Sequence, residues 1–337
     1  MLVQRLSLTG VLTAAAGLAL LVWVVRQVGI AQVGADFRQL GWGLAAIVAI
    51  GGLRFLARAI AWRWCLDSPH QLSIADAFAA VICGDAIGNV TPLGPLVGEP
   101  AKAAFVRRRV PLAPAVAALA VENVLYTLSA AAMIAAGMVA LLFRFQLPPG
   151  LRDVGEAAIA GTVILFGVAL WLLWRQPALV SRALGIAGPS SSLRRHADRV
   201  RALEEQIYGF AARRRAALPA VVLAETAFHA LGVAEVHVTL TLLYGSPPPL
   251  VTSFILETTN RLITVVFKFV PLRLGVDEAG TALFTQVLGL GSQTGVTLAI
   301  VRKARVLFWM AAGALLLVRE GFLTRSGQNP AAERPRH

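Results

Sequence analysis

Near the end of the chain, Pro271-Leu272-Arg273-Leu274-Gly275-Val276-Asp277-Glu278 repeats the order of Pro92-Leu93-Gly94-Pro95-Leu96-Val97-Gly98-Glu99. Aligned without a gap, residues 92–105 and 271–284 share six of fourteen positions: Pro92/Pro271, Leu93/Leu272, Val97/Val276, Glu99/Glu278, Ala103/Ala282 and Phe105/Phe284. The correspondence extends outward. A polar residue stands three before each proline (Asn89, Lys268), and a charged residue follows each glutamate at similar range (Glu122, Arg302). Both copies lie between apolar segments of membrane length. Proline- and glycine-broken segments at matching places in two halves of a membrane protein are the best sequence pointer to a transport site.

Composition agrees with a membrane class. The chain is 57% hydrophobic and 15% charged, with a mean hydropathy of +0.70, unlike a water-soluble domain. Apolar runs cover Ser7–Val25, Gly43–Trp64, Leu112–Phe143, Ala157–Trp174, Leu218–Tyr244, Leu250–Val270 and Thr294–Val318. Most reach the roughly 20 residues that cross a bilayer core. The first run has no small-residue cleavage site before Arg26 and further spans follow, so it reads as a retained span. The net charge of +13 does not point to nucleic acid, because the basic residues cluster beside spans. Nine arginines against three acids fall between Arg175 and Arg215, and Arg107-Arg108-Arg109 and the C-terminal tail are also basic. Cytoplasmic loops have this appearance. Cys65 and Cys83 fit no metal spacing and read as buried thiols.

The charges also order the spans. With Arg5, Arg63, Arg107–Arg109 and the Arg-rich loop all inside, Ser73–Val106 has to enter the membrane and return on the same side. The break at Asn89–Pro95 makes it a re-entrant hairpin. For the basic tail to end inside as well, Leu250–Leu290 is a second hairpin, entered from outside. The predicted fold is all-α: six transmembrane helices plus two re-entrant hairpins arranged as an inverted repeat, with both termini cytoplasmic. Residues 1–325 form one membrane domain with repeat halves at about 43–143 and 218–318, and 326–337 a disordered tail. The halves are joined by a span and a cytoplasmic segment, 175–217, in which Leu193, Val200, Leu203, Ile207 and Phe210 predict a surface amphipathic helix. Non-helical backbone at membrane depth is tolerated only where protein or water surrounds it, so the two hairpin tips are expected to meet in the interior.

Ionisable residues inside spans are functional candidates by default. Arg54 and Arg58 share one face of the second span. Glu122 and Asn123 sit within the third, Glu257 and Arg261 in an arm of the second hairpin, Lys268 before its tip, and Arg302 and Arg305 in the last span. With Asn89, Pro92, Gly94, Glu99 and Lys102 of the first hairpin and Pro271, Gly275 and Glu278 of the second, these form the candidate translocation set. The bland alternative is that the glutamates merely neutralise the arginines and pin the hairpins. Glu122 and Arg302 are expected to face one shared cavity, bound to each other or bridged by a headgroup. Glu225 and His229, on one helix face, read as an internal hydrogen bond, and Trp62, Arg63 and Trp64 as interfacial anchors. No hydrolase elbow, zinc-protease motif or phosphate-binding loop is present, and neither a metal nor a cofactor is expected.

The stretch Asp76-Ala77-Phe78, Gly84, Asn89-Val90-Thr91-Pro92-Leu93-Gly94, Gly98-Glu99-Pro100-Ala101-Lys102 and Glu122 resembles the first signature of the lysylphosphatidylglycerol synthase/flippase-like membrane family. Pro271–Glu278, with Arg302 beyond, resembles its second. This chain has Arg273-Leu274 where the family usually carries Gly-Gly, and Lys102 where arginine is usual. The resemblance implies a module that flips or handles lipids with anionic or zwitterionic headgroups across the bacterial inner membrane. Synthase members carry a further aminoacyl-transfer domain. Here nineteen residues follow Val318, so synthase activity is not expected and the chain is read as a non-enzyme. The rival readings are a membrane partner of a lipid- or polysaccharide-modifying enzyme, and a membrane-embedded headgroup enzyme.

Overall fold

In hydrocarbon, backbone polar groups must be satisfied within the chain, which leaves a helix as the default for apolar runs of this length. A computed structural model describes residues 38–91, 94–175, 213–268 and 270–326, with residues 201, 205, 209 and 210. Among them every regular element is helical. In chain order they are α1 (Gly43–Cys65), α2 (Ile74–Val90), α3 (Gly94–Phe105), α4 (Leu112–Arg144), α5 (Pro149–Arg175), α6 (Leu218–Tyr244), α7 (Leu250–Val266), a 3-10 turn (Pro271–Arg273), α8 (Val276–Val287) and α9 (Ser292–Ser326). Four helices are long and apolar enough to cross a membrane: α1, α4, residues Pro149–Leu172 of α5, and α6. α9 has the length, at 35 residues, but carries Arg302, Lys303 and Arg305 in its first half. The expected first span and the tail beyond Ser326 lie outside the described residues, as does most of the expected surface helix; of that helix Arg201, Glu205, Gly209 and Phe210 are helical, and Phe210 is buried in the core rather than at a surface.

Both motif copies are helix–break–helix units. In the first, Ser73 caps α2 by accepting from the Asp76 amide, and the chain turns extended at Thr91 (φ −110°, ψ 137°). The arms then touch backbone to backbone through glycines. A Cβ on Gly98 would stand 2.7 Å from the Gly84 carbonyl oxygen, and one on Gly94 would collide with the Gly88 carbonyl. Gly84 and Gly88 are four apart, as are Gly94 and Gly98, so each helix presents a flat strip of the kind that lets membrane helices approach closely. In the second unit Leu272 and Arg273 take left-handed φ values of 51° and 47°. Such backbone costs about 1–2 kcal/mol per non-glycine residue. Arg273 also holds Asp277 at 3.1 Å. That bond ties the turn to the first turn of α8.

The packing is reciprocal. α4, which follows the first unit, lies on α7 of the second, and α9, which follows the second, lies on α2 of the first; α1 and α6 form the most extensive helix pair. Small residues set these distances. Trp309 of α9 covers Gly51 and Gly52 of α1, where a Cβ on Gly52 would stand 2.5 Å from its ring, and the indole donates to the Val48 carbonyl at 3.0 Å. By contrast only 6% of the apolar window of α5 is buried, against 44% for α1 and for α6. α5 is therefore a peripheral helix with a mostly lipid-facing surface, packed on α4. One expectation is corrected: Trp62 is not an interfacial anchor. It is fully buried among Ala, Val and Leu side chains and donates to the Ala115 carbonyl, while Trp64 is 46% exposed.

Candidate functional site

The two hairpin tips come together at a cavity of about 360 Å³, lined by Thr91, Gly94 and Gly98 of the first unit and by Lys268, Val270, Leu272 and Arg273 of the second. Small-molecule sites span about 300–1,000 Å³. Eight cationic side chains reach this cavity: Arg54, Arg58, Lys102, Arg261, Lys268, Arg273, Arg302 and Arg305. Among the described residues two carboxylates, Asp85 and Glu99, line it with them. Arg54 is the central residue of α1, so the cavity lies midway along that span.

The compensating acids stand behind the cations. Glu257, 1% exposed, receives Arg261 at 2.9 Å and Arg54 and Arg302 at 3.5 Å each. Glu235, equally buried, receives Arg54 and Arg305 at 2.8 Å each. Glu122 is gripped by Arg58 through Nε and, at 2.9 Å, through Nη2. Glu278 is held by Lys303 at 2.8 Å. This order has an electrostatic consequence. Each of these arginines is paired with a glutamate and also lines the void, so a bound anion would meet positive groups first. Lys268 lines the cavity with no carboxylate at ion-pair distance among the described residues. On the opposite wall, Lys102 binds Glu99 at 2.6 Å, and the Asn123 amide donates to the other Glu99 oxygen at 3.0 Å.

Aromatic rings fix the guanidinium planes. Arg54 and Arg261 each lie 4.8 Å from the Phe228 ring centre, and Arg58 lies 4.0 Å over Tyr126. A desolvated cation over an aromatic face gains about 2 kcal/mol. Arg261 Nη1 also donates to the Tyr126 hydroxyl at 3.1 Å.

Of the sequence candidates, Arg54, Arg58, Asn89, Gly94, Glu99, Lys102, Asn123, Arg261, Lys268, Arg302 and Arg305 line the cavity. Glu122, Glu257 and Glu278 do not; they back it or brace it. Gly275 caps α8 at φ 77°, Pro271 begins the 3-10 turn, and Pro92 lies outside the described residues. Glu122 and Arg302 are not bound to each other: Arg58 of α1 takes the first and Glu257 of α7 the second, because each is nearer than the partner suggested by the repeat. Glu225 and His229 do not bond to each other either; His229 Nε2 pairs with Ser129 Oγ at 3.0 Å. Sequence reading left Asp85, Glu235 and Phe228 out of the site. Asp85 stands four residues before Asn89 and holds its amide at 2.8 Å, a spacing that marks one helix face. For Phe228 no sequence signal existed, since an aromatic in an apolar helix reads as core.

A family model described as lysylphosphatidylglycerol synthase TM region matches residues 7–313. The chain belongs to that family. The match spans the full cavity, from Gly51 to Val306, and both motif units. Neither a curated protein nor a solved structure matches the chain. Family membership makes this a membrane protein with a lipid-related role.

Proposed function

We propose that the protein is a flippase-like transporter that moves lipids with charged headgroups across the cell inner membrane. The observation that carries this reading is the charge order of the cavity, with cations facing the void and most carboxylates behind them, midway along a span. A lipid phosphate needs such donors once it leaves water, and arginine forks match its oxygens in pairs. Asp85 and Glu99, the two acids on the lining, would receive an amine or hydroxyl of the headgroup.

The reciprocal packing of α4 on α7 and of α9 on α2 supports an inverted repeat of span, re-entrant hairpin and span, joined as one membrane domain. Two such halves can expose a shared site to either side in turn. In this arrangement six spans place both termini in the cytoplasm. The rival readings are a non-catalytic partner of a lipid- or polysaccharide-modifying enzyme and an enzyme acting on the headgroup. Reconstitution of the purified chain in liposomes with fluorescent phosphatidylglycerol or phosphatidylethanolamine separates the three. A transporter moves the label between leaflets unaided, a partner leaves it in place, and an enzyme alters the mass of the lipid. No movement of either lipid would refute the transporter reading.

A further inference from the structure

Beside the cavity lies a carboxyl group that the ion pairs leave out. Glu225 of α6 is 2% exposed, and neither of its oxygens has a hydrogen-bond partner. The residue facing it on α4 is another acid: Phe228 packs on Tyr126 at 5.6 Å and His229 bonds Ser129 at 3.0 Å, and one turn before Phe228 and Tyr126 stand Glu225 and Glu122. Glu122 is already ion-paired with Arg58, which donates to one of its oxygens at 2.9 Å. One guanidinium thus serves two buried carboxyl groups. An ionised carboxylate without its own partner costs several kcal/mol in such a place, and two acids in contact avoid that cost by holding one proton between them.

We propose that Glu122 and Glu225 form a proton-binding site, in which Glu225 carries the proton and donates it to the Glu122 carboxylate, and that its occupancy is linked to anion binding in the cavity. The other charged and titratable groups facing Glu225 are few. α1 brings Arg58 and the Cys65 thiol, α4 brings Tyr126 beside Glu122, and Lys102 of α3 acts from across the cavity wall. On α6 itself, His229 lies one turn along, and its Nδ1 is buried without a partner. α7 presents Glu257 further up the helix, against Gly232, where arginines already hold it.

The link to the cavity runs through Arg58. Its guanidinium grips Glu122 on one side and lines the cavity on the other. An anion in the cavity draws on the same positive charge, so the acid pair behind loses part of what favours its ionised form. Anion binding therefore promotes proton uptake, and by reciprocity the proton tightens anion binding. This second half rests on the transporter reading; the proton site does not.

The test is infrared difference spectroscopy of the full chain in nanodiscs, titrated with pH, on protein carrying isotope-labelled glutamate. The expected result is a labelled carboxylic-acid carbonyl band at neutral pH. It shifts on deuterium exchange, fades on alkaline titration and is absent from Glu225→Gln. Should the amide fail to fold, Glu225→Asp moves the band to the unlabelled position, because aspartate carries no label. No such band in the wild type, or its persistence in Glu225→Gln, overturns the proton site. For the link, short-chain phosphatidylglycerol is added in weakly buffered detergent with a pH indicator. At the alkaline pH where the infrared band has half faded, the wild type takes up protons on binding lipid, at most about half a proton per lipid, and Glu225→Gln binds lipid with no uptake. Binding without uptake in the wild type overturns the link. Failure of both proteins to bind counts against the transporter reading, and the infrared band then decides the proton site alone.

Discussion

Replacing Glu257 by glutamine should destabilise the protein more than any other neutralisation in the second motif unit. Three arginines meet on this one carboxylate, at 2.9, 3.5 and 3.5 Å, and its side chain is 1% exposed. Arg54 would keep Glu235, but Arg261 and Arg302 would each lose their carboxylate. Removing one partner of a buried pair costs about 3–5 kcal/mol. Glutamine retains the volume and one acceptor for Arg261, so the low end, about 3 kcal/mol, applies. For a chain of 337 residues that corresponds to a melting point lower by roughly 4 °C. The assay is thermal unfolding of purified protein in detergent, followed by loss of the monodisperse peak on size exclusion. Arg302→Gln added to Glu257→Gln should recover about 0.5–3 kcal/mol of the summed losses. Glu156→Gln is the control, because its pair with Arg152 is 56% and 68% exposed and contributes about 0–1 kcal/mol. A melting point for Glu257→Gln equal to the wild type, or strict additivity in the double variant, would show that these charges are solvated and not a network.

The matched glutamates of the repeat should behave differently. Glu99→Gln, on the cavity wall, is expected to change stability by no more than about 1 kcal/mol and lose most lipid movement, whereas Glu278→Gln, fully buried against Lys303, should lose about 1–3 kcal/mol of stability, less than Glu257→Gln because Lys303 keeps Asp277 at 3.4 Å. Identical melting points and identical transport for the two would refute the distinction. Lys268→Gln, which breaks no ion pair among the described residues, should leave unfolding unchanged and weaken binding of phosphatidylglycerol, measured by native mass spectrometry. Gly98→Val places side-chain atoms on the Gly84 carbonyl and should cost about 1–3 kcal/mol, while the same change at Gly161, which has nothing within 4 Å, should leave the melting point unaltered. Cysteines at Gly245 and at Arg108 should label from opposite faces in right-side-out vesicles; labelling from the same face would contradict the inverted arrangement.

Much of the fold could be read from the sequence because membrane helices are specified locally. Length, apolarity and the breaks at Thr91–Gly94 and Val270–Gly275 are properties of consecutive residues, and hydrocarbon leaves the backbone few alternatives. The repeat of Pro92–Phe105 in Pro271–Phe284 likewise placed both tips, and most of the basic residues now found around the cavity, on the candidate set. What the sequence could not assign was who pairs with whom. Glu122 and Arg302 stand at matching positions, yet Arg58 and Glu257 claim them. Such pairing depends on which helices touch, and the choice among several equally charged partners is made by distances of an ångström or two. The same holds for Phe228 as a platform for two guanidiniums, for Trp62 as core, and for Glu225 as the acid left without a cation. Charge at membrane depth is visible in one dimension; its compensation is a three-dimensional fact, decided by glycine-set helix distances that bring some side chains into contact and leave others facing the void.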